Sequence, residues 1–138
     1  MIEFTVPGAP AGKGRPRVAR FAGRSRLYTP AATVAYENRV AHAGMQAMAG
    51  RPLLDGPVDV TLLIDCPVPA SWSKRKQAQA LAGEIRPTTK PDVDNVLKAV
   101  ADGLNGVVWR DDVQVVSVAM RKAYAATPCV RVQIGPAA

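Results

Sequence analysis

Five of the chain's eleven acidic residues, Asp92, Asp94, Asp102, Asp111 and Asp112, fall inside one stretch, KPDVDNVLKAVADGLNGVVWRDDVQ, in a chain whose net charge is +7. Carboxylates gathered in a basic protein point to a positive charge held among them. Two unit charges 4 Å apart repel by about 4 kcal/mol at an effective dielectric of 20, a cost that a divalent cation removes. Mg2+ or Mn2+ fits such a set, because both take oxygen ligands and keep positions for water and phosphate oxygens. An EF-hand calcium loop does not fit. Counted from Asp92, its sixth position is Leu97 instead of Gly and its twelfth is Gly103 instead of Glu.

The elements that must position these acids are legible in the same stretch. Val93, Val96, Leu97, Val100, Ala101 and Leu104 recur at steps of three and four and make one apolar helical face. Asp94, Lys98 and Asp102 follow at steps of four on the other side. Pro91 in the first turn and Asp92 suit a helix start, and Asn105-Gly106 suits its stop. Trp109 to Asp112 then leads into a strand expected from Val113 to about Tyr124. A helix lying along that strand brings together Asp92, Asp94 and one of Asp111 or Asp112. Adjacent strand residues face opposite ways, so the spacing leaves that choice open. Each acid also has a purely structural reading. Asp92 is then a helix cap, and Asp94 and Asp102 are ion-pair partners of Lys98, each pair contributing less than about 1 kcal/mol. Asp111-Asp112 is then a turn.

Six cations, Lys13, Arg15, Arg17, Arg20, Arg24 and Arg26, are interleaved with Gly14 and Gly23 and with no acid. Arginine forks match phosphate oxygens, and glycine lets the backbone approach closely. The stretch is expected to be a basic loop lying on a phosphate backbone, a contact that carries no base information; a solvated loop is the bland alternative. A P-loop is excluded, since only three residues separate Gly8 from Gly12 and Gly14 stands where Ser or Thr would bind magnesium. Phe21 and Tyr28 are expected to pack the loop onto the domain, with base stacking as the alternative. Lys74, Arg75 and Lys76 open a short helix capped by Ser71 or Ser73 and running to about Ala82. Cations there oppose the helix dipole by about 0.3 kcal/mol or more each, a misfit that favours contact with DNA.

A pI near 9.9 agrees with a nucleic-acid partner. No apolar run approaches the roughly 20 residues of a spanning helix, and Met1-Ile2-Glu3-Phe4 does not open a secretory leader, so no membrane partner and a cytoplasmic location are expected. His42 is the single histidine and lies mid-helix, which argues against a histidine-based nuclease. Cys66 and Cys129 are isolated and form no zinc pattern; they are read as reduced core thiols.

The length of 138 residues and 48% hydrophobic content suit one folded domain over residues 1–138. Ile2, Phe4 and Val6 mark a first strand. Thr29-Pro30 opens an alanine-rich helix to about Ala49, with Met45 and Met48 in the core. Val58, Val60, Leu62, Ile64 and Cys66 alternate as the clearest strand. Val130, Val132 and Ile134 form a last strand, expected to pair with the Val113 strand through the turn at residues 125–128. Four strands and three helices give a two-layer α/β domain with a mixed, mostly antiparallel sheet.

Asp92-x-Asp94-Asn95-x-x-Lys98, then Asp102, then Trp109-x-Asp111-Asp112-x-Gln114-Val115 resembles the signature of RusA-type Holliday junction resolvases, small dimeric endonucleases often carried by prophages. Pro7-Gly8, Lys13-Gly14-Arg15-Pro16-Arg17 and Tyr28-Thr29-Pro30 resemble the opening of phage-type members, while residues 50–86 match in layout only. The resemblance implies the same architecture, a homodimer, and Mg2+-dependent cleavage of four-way DNA junctions, with Mn2+ as a substitute ion. It implies Asp92, Asp94 and Asp112 as catalytic acids and metal ligands, Asp111 being the alternative third ligand. It also implies a requirement for Lys98, which would orient water or bind a phosphate oxygen. Asn95 would steady a ligand carboxylate. The stretch from Lys13 to Arg26 and the Lys74, Arg75, Lys76 cluster would hold the junction arms. Two other readings stay open: a non-catalytic prophage DNA-binding protein, which leaves the acids unexplained, and a nuclease for other branched DNA.

Overall fold

The computed structural model describes residues 1–137, apart from the side chain of Phe21. In chain order its elements are β1 (Ile2–Pro7), β2 (Arg17–Phe21), β3 (Arg24–Tyr28), α1 (Ala31–Met48), β4 (Val58–Pro67), α2 (Lys74–Leu81), α3 (Val93–Leu104), β5 (Val115–Ala125) and β6 (Cys129–Pro136). The main sheet runs β1-β6-β4-β5, antiparallel except for the β4–β5 pair. This is the expected α/β fold, with a four-stranded mixed sheet and three helices.

The alternation of β4 puts Val58, Val60, Leu62 and Ile64 in the core with Val130, Val132 and Ile134 of β6. Above them lie Val96, Val100 and Leu104 of α3 and Tyr36, Val40 and Met48 of α1. The two helices approach closely at glycines. A Cβ on Gly103 would stand 2.9 Å from the Glu37 carbonyl oxygen and 3.0 Å from Val40 Cβ, so this crossing leaves no room for a side chain.

Several expectations are corrected. The last strand does not pair with β5, because β4 lies between them. A β5–β6 hairpin would leave β4, the strand with the most regular buried alternation, at an edge; placing it centrally satisfies its backbone groups on both sides. The strand after the acids begins at Val115, and Asp112–Gln114 form a 310 turn before it. The basic stretch is no open loop: β2 and β3 pair antiparallel, closed by Ala22 (φ 52°) and Gly23 (φ 76°). Two successive positive φ values are what a two-residue hairpin turn requires. Arginine density hides the strand pattern there. Tyr28 is 46% exposed; Phe21 lies outside the described side chains. Pro30 occupies the α1 cap and the helix begins at Ala31, one residue later than expected. Met48 is buried, but Met45 is 57% exposed and is no core residue. Pro91 precedes the α3 cap instead of lying in its first turn. Cys66 and Cys129 are buried and free.

Candidate metal centre and nucleic-acid surface

Asp92 sits at the N-cap of α3, yet its side chain makes no capping hydrogen bond. Its carboxylate is therefore not used up by the helix end. Residues two apart stand about 200° apart around a helix, and the first turn of α3 accordingly serves two cavities. One, of about 220 Å³, is lined by Asp92 and Asn95 with Gly12, Lys13, Lys90 and Pro91. The other, of about 320 Å³, is lined by Asp94, Leu97, Lys98 and Ala101 with Asp112, Val115 and Val118.

The turn uses Asp111 and Asp112 differently. Asp111 Oδ1 accepts from the Val113 N–H at 3.2 Å, while Gln114 Oε1 accepts from the Arg110 and Asp111 N–H groups at 3.0 and 3.4 Å. This reciprocal cap commits Asp111 to structure. Gln114 Nε2 donates to the carbonyls of Leu54 and Gly56, both at 3.0 Å, and pins the turn to the segment before β4. Beneath it Trp109 is 1% exposed and donates from Nε1 to Asn105 Oδ1 at 2.9 Å. Asp112 is left facing the larger cavity, with Oδ2 3.9 Å from Lys98 Nζ.

Lys98 Nζ stands 3.0 Å from Asp102 Oδ1, and Asp102 Oδ2 stands 3.1 Å from Lys13 Nζ, which also binds Glu37. Partial burial pushes the Asp112 carboxyl above its ordinary value, as does its neighbour Asp111, and Lys98 only partly opposes them. Partial burial acts the same way on Asp102, but hydrogen bonds from Lys98 and Lys13 outweigh it and hold that carboxyl below its ordinary value. Asp112 is thus a carboxylate short of positive partners.

Among the described residues no three His, Cys, Asp or Glu are grouped closely enough to hold an ion together. Asp94 and Asp112 share a cavity, whereas Asp92 borders the adjacent one. Mg2+ is commonly held by one or two carboxylates, with water and substrate phosphate completing the shell. The donor chemistry of Asp94 and under-neutralised Asp112 fits that pattern.

The expected DNA contacts divide. Lys13 has intramolecular carboxylate partners on both sides. Arg15, Arg17, Arg20, Arg24 and Arg26 are exposed. The β2–β3 register pairs Arg17 with Tyr28, Ala19 with Arg26, and Phe21 with Arg24. Paired residues share a face, so Arg17, Arg24 and Arg26 lie on one side of the hairpin and Arg20 on the other. Lys74, Arg75 and Lys76 are exposed in the first turn of α2, where Ser73 Oγ accepts from the Lys76 N–H at 3.2 Å. Lys122 was not anticipated. Its Nζ donates to the carbonyls of Thr89 and Pro91 at 2.7 and 3.1 Å and fixes the approach to α3. Its register with buried Ile64 sends Lys122 toward the helix layer, a pairing that no local sequence signal announces.

The chain falls within a known family. Residues 7–135 match the family described as Endodeoxyribonuclease RusA, and the chain belongs to that family. It is also 40% identical, over 137 residues, to the uncharacterized protein YqaN of Bacillus subtilis (strain 168), covering 96% of this chain and 94% of that protein.

Proposed function

We propose that the protein is a divalent-metal-dependent endodeoxyribonuclease that resolves four-way DNA junctions as a homodimer. The observation that carries this reading is the cavity beside α3, where Asp94 and Asp112 stand with Lys98 between α3 and the edge of the sheet. Asp94 and Asp112 would hold Mg2+, with water and phosphate oxygens completing its shell, while Asp92 lines the neighbouring cavity. A bound cation would lower the pKa of a water and neutralise charge on the scissile phosphate. Lys98 offers its ammonium to a non-bridging phosphate oxygen or steadies the attacking water. Asn95, beside Asp92, orients that carboxylate. The exposed hairpin arginines and Lys74, Arg75 and Lys76 contact the backbone of the arms.

The dimer is supported by β5, an eleven-residue strand with one unpaired edge. Val116 on it is 62% exposed. A long apolar edge is a surface that proteins normally cover, and a two-fold dimer places one site on each of two opposed strands. No helix among the described residues is long and apolar enough to cross a membrane.

The test is incubation with a synthetic four-way junction, a Y-fork and a flap, each with and without Mg2+. Paired symmetric nicks in the junction alone support this reading. Cleavage of all three substrates assigns a broader branched-DNA nuclease, and metal-independent binding without nicks assigns a non-catalytic protein.

A further inference from the structure

Charges alternate along Glu37, Lys13, Asp102, Lys98 and Asp112, which come from α1, the segment after β1, α3 and the 310 turn. Lys13 is not free to wander. Its N–H donates to the Asn95 carbonyl at 2.9 Å, and the next N–H, of Gly14, donates to Thr33 Oγ1 at 3.0 Å. Gly12 lies so close to α3 that a Cβ there would stand 3.0 Å from Asn95 Cβ. A cation anchored in this way differs from the exposed arginines that follow it.

We propose that Lys13 and Glu37 are positioning residues for cleavage: Lys13 holds one oxygen of Asp102, so that the other sets Lys98 over the Asp94–Asp112 cavity with its charge only half answered. The proposal rests on the cleavage reading given above. Asp102 carries one negative charge for two ammonium groups. Without Lys13, that carboxylate, whose side chain is 19% exposed, keeps Lys98 as its one partner and draws it out of the cavity. Glu37 supplies the second carboxylate that keeps Lys13 in place.

Three measurements separate this role from phosphate contact. In Lys13→Met, single-turnover cleavage at saturating protein is expected to slow by about tenfold or more, while metal-free junction Kd and its salt slope stay within about twofold of wild type. Lys13→Arg, which keeps the charge, recovers most of the rate. Weaker binding with a shallower salt slope and a wild-type saturating rate overturns the proposal. In metal-free, DNA-free protein labelled with 15N-lysine, the Lys98 Nζ resonance shifts in Lys13→Met; an unmoved resonance also overturns it. Where Lys13→Met does not fold, Glu37→Gln serves, with slower cleavage expected and a wild-type rate as the refutation. If the wild type cleaves no branched DNA with any metal, the cleavage reading fails, and the Lys98 resonance alone decides whether the charge line exists.

Discussion

Around the acidic cavity, Asp112 is carried by a capped turn, Lys98 is held by Asp102, and the turn is pinned through Gln114 to the segment before β4. On the β2–β3 hairpin, Arg17, Arg20, Arg24 and Arg26 are exposed and have no side-chain partner among the described residues. Both regions are polar and both suit a phosphodiester, yet one is held from several sides and the other is left loose. Bond cleavage depends on placement within about an ångström. Backbone attraction acts over distance and tolerates side-chain freedom. Rigid support therefore marks where chemistry is expected and its absence marks where grip is expected.

The largest test of that contrast is Asp94→Asn or Asp112→Asn. Each is expected to lower single-turnover cleavage by about two to three orders of magnitude with junction binding retained; equal loss of binding would merge the two regions into one. Lys98→Met is expected to cost about a hundredfold in the same assay. Replacing Arg17, Arg24 and Arg26 together by Ala should act through Kd, reducing the slope of log K against log salt by about one for each phosphate no longer neutralised. An unchanged slope would remove the hairpin from the DNA surface. Gly103→Ala is expected to destabilise the fold by about 1–3 kcal/mol through the α1–α3 crossing, read by denaturant melting. The smallest effect concerns acid stability. The folded Asp102 carboxyl lies below its ordinary value, so its contribution is full above the unfolded pKa and is lost as pH falls through the lower folded one. Tm in that acid window should fall less steeply for Asp102→Asn than for wild type.

The expectations that held are those in which one local signal faced no competitor. Apolar steps fixed α3, alternation fixed β4, and Ser73 caps α2 as one of two anticipated serines. The order of strands was not local. The short β5–β6 connection invited a hairpin that the burial of β4 forbids. The arginine hairpin was masked because β3 is exposed along its whole length and displays no alternation. In the candidate site, the gathering of acids around Lys98 in one stretch was legible as a pattern, but the partition of Asp92, Asp94 and Asp112 between two cavities follows from helix phase and from the capped turn. The Asp111-x-x-Gln114 spacing was a readable capping signal, which the structure bears out. The attachment of Lys13 to Asp102 and Glu37 depends on three distant segments meeting and had no sequence signature.

The two indoles give this molecule a built-in optical readout. Trp109 is sealed beneath the acidic turn at 1% exposure. Trp72 lies edge-on to Tyr124, with the Lys76 ammonium 4.0 Å above its ring. A cation that leaves an aromatic face to meet a phosphate changes the emission of that chromophore, while the sealed one serves as an internal reference. Ordinary tryptophan fluorescence, without any attached dye, can therefore test whether DNA reaches α2 at all.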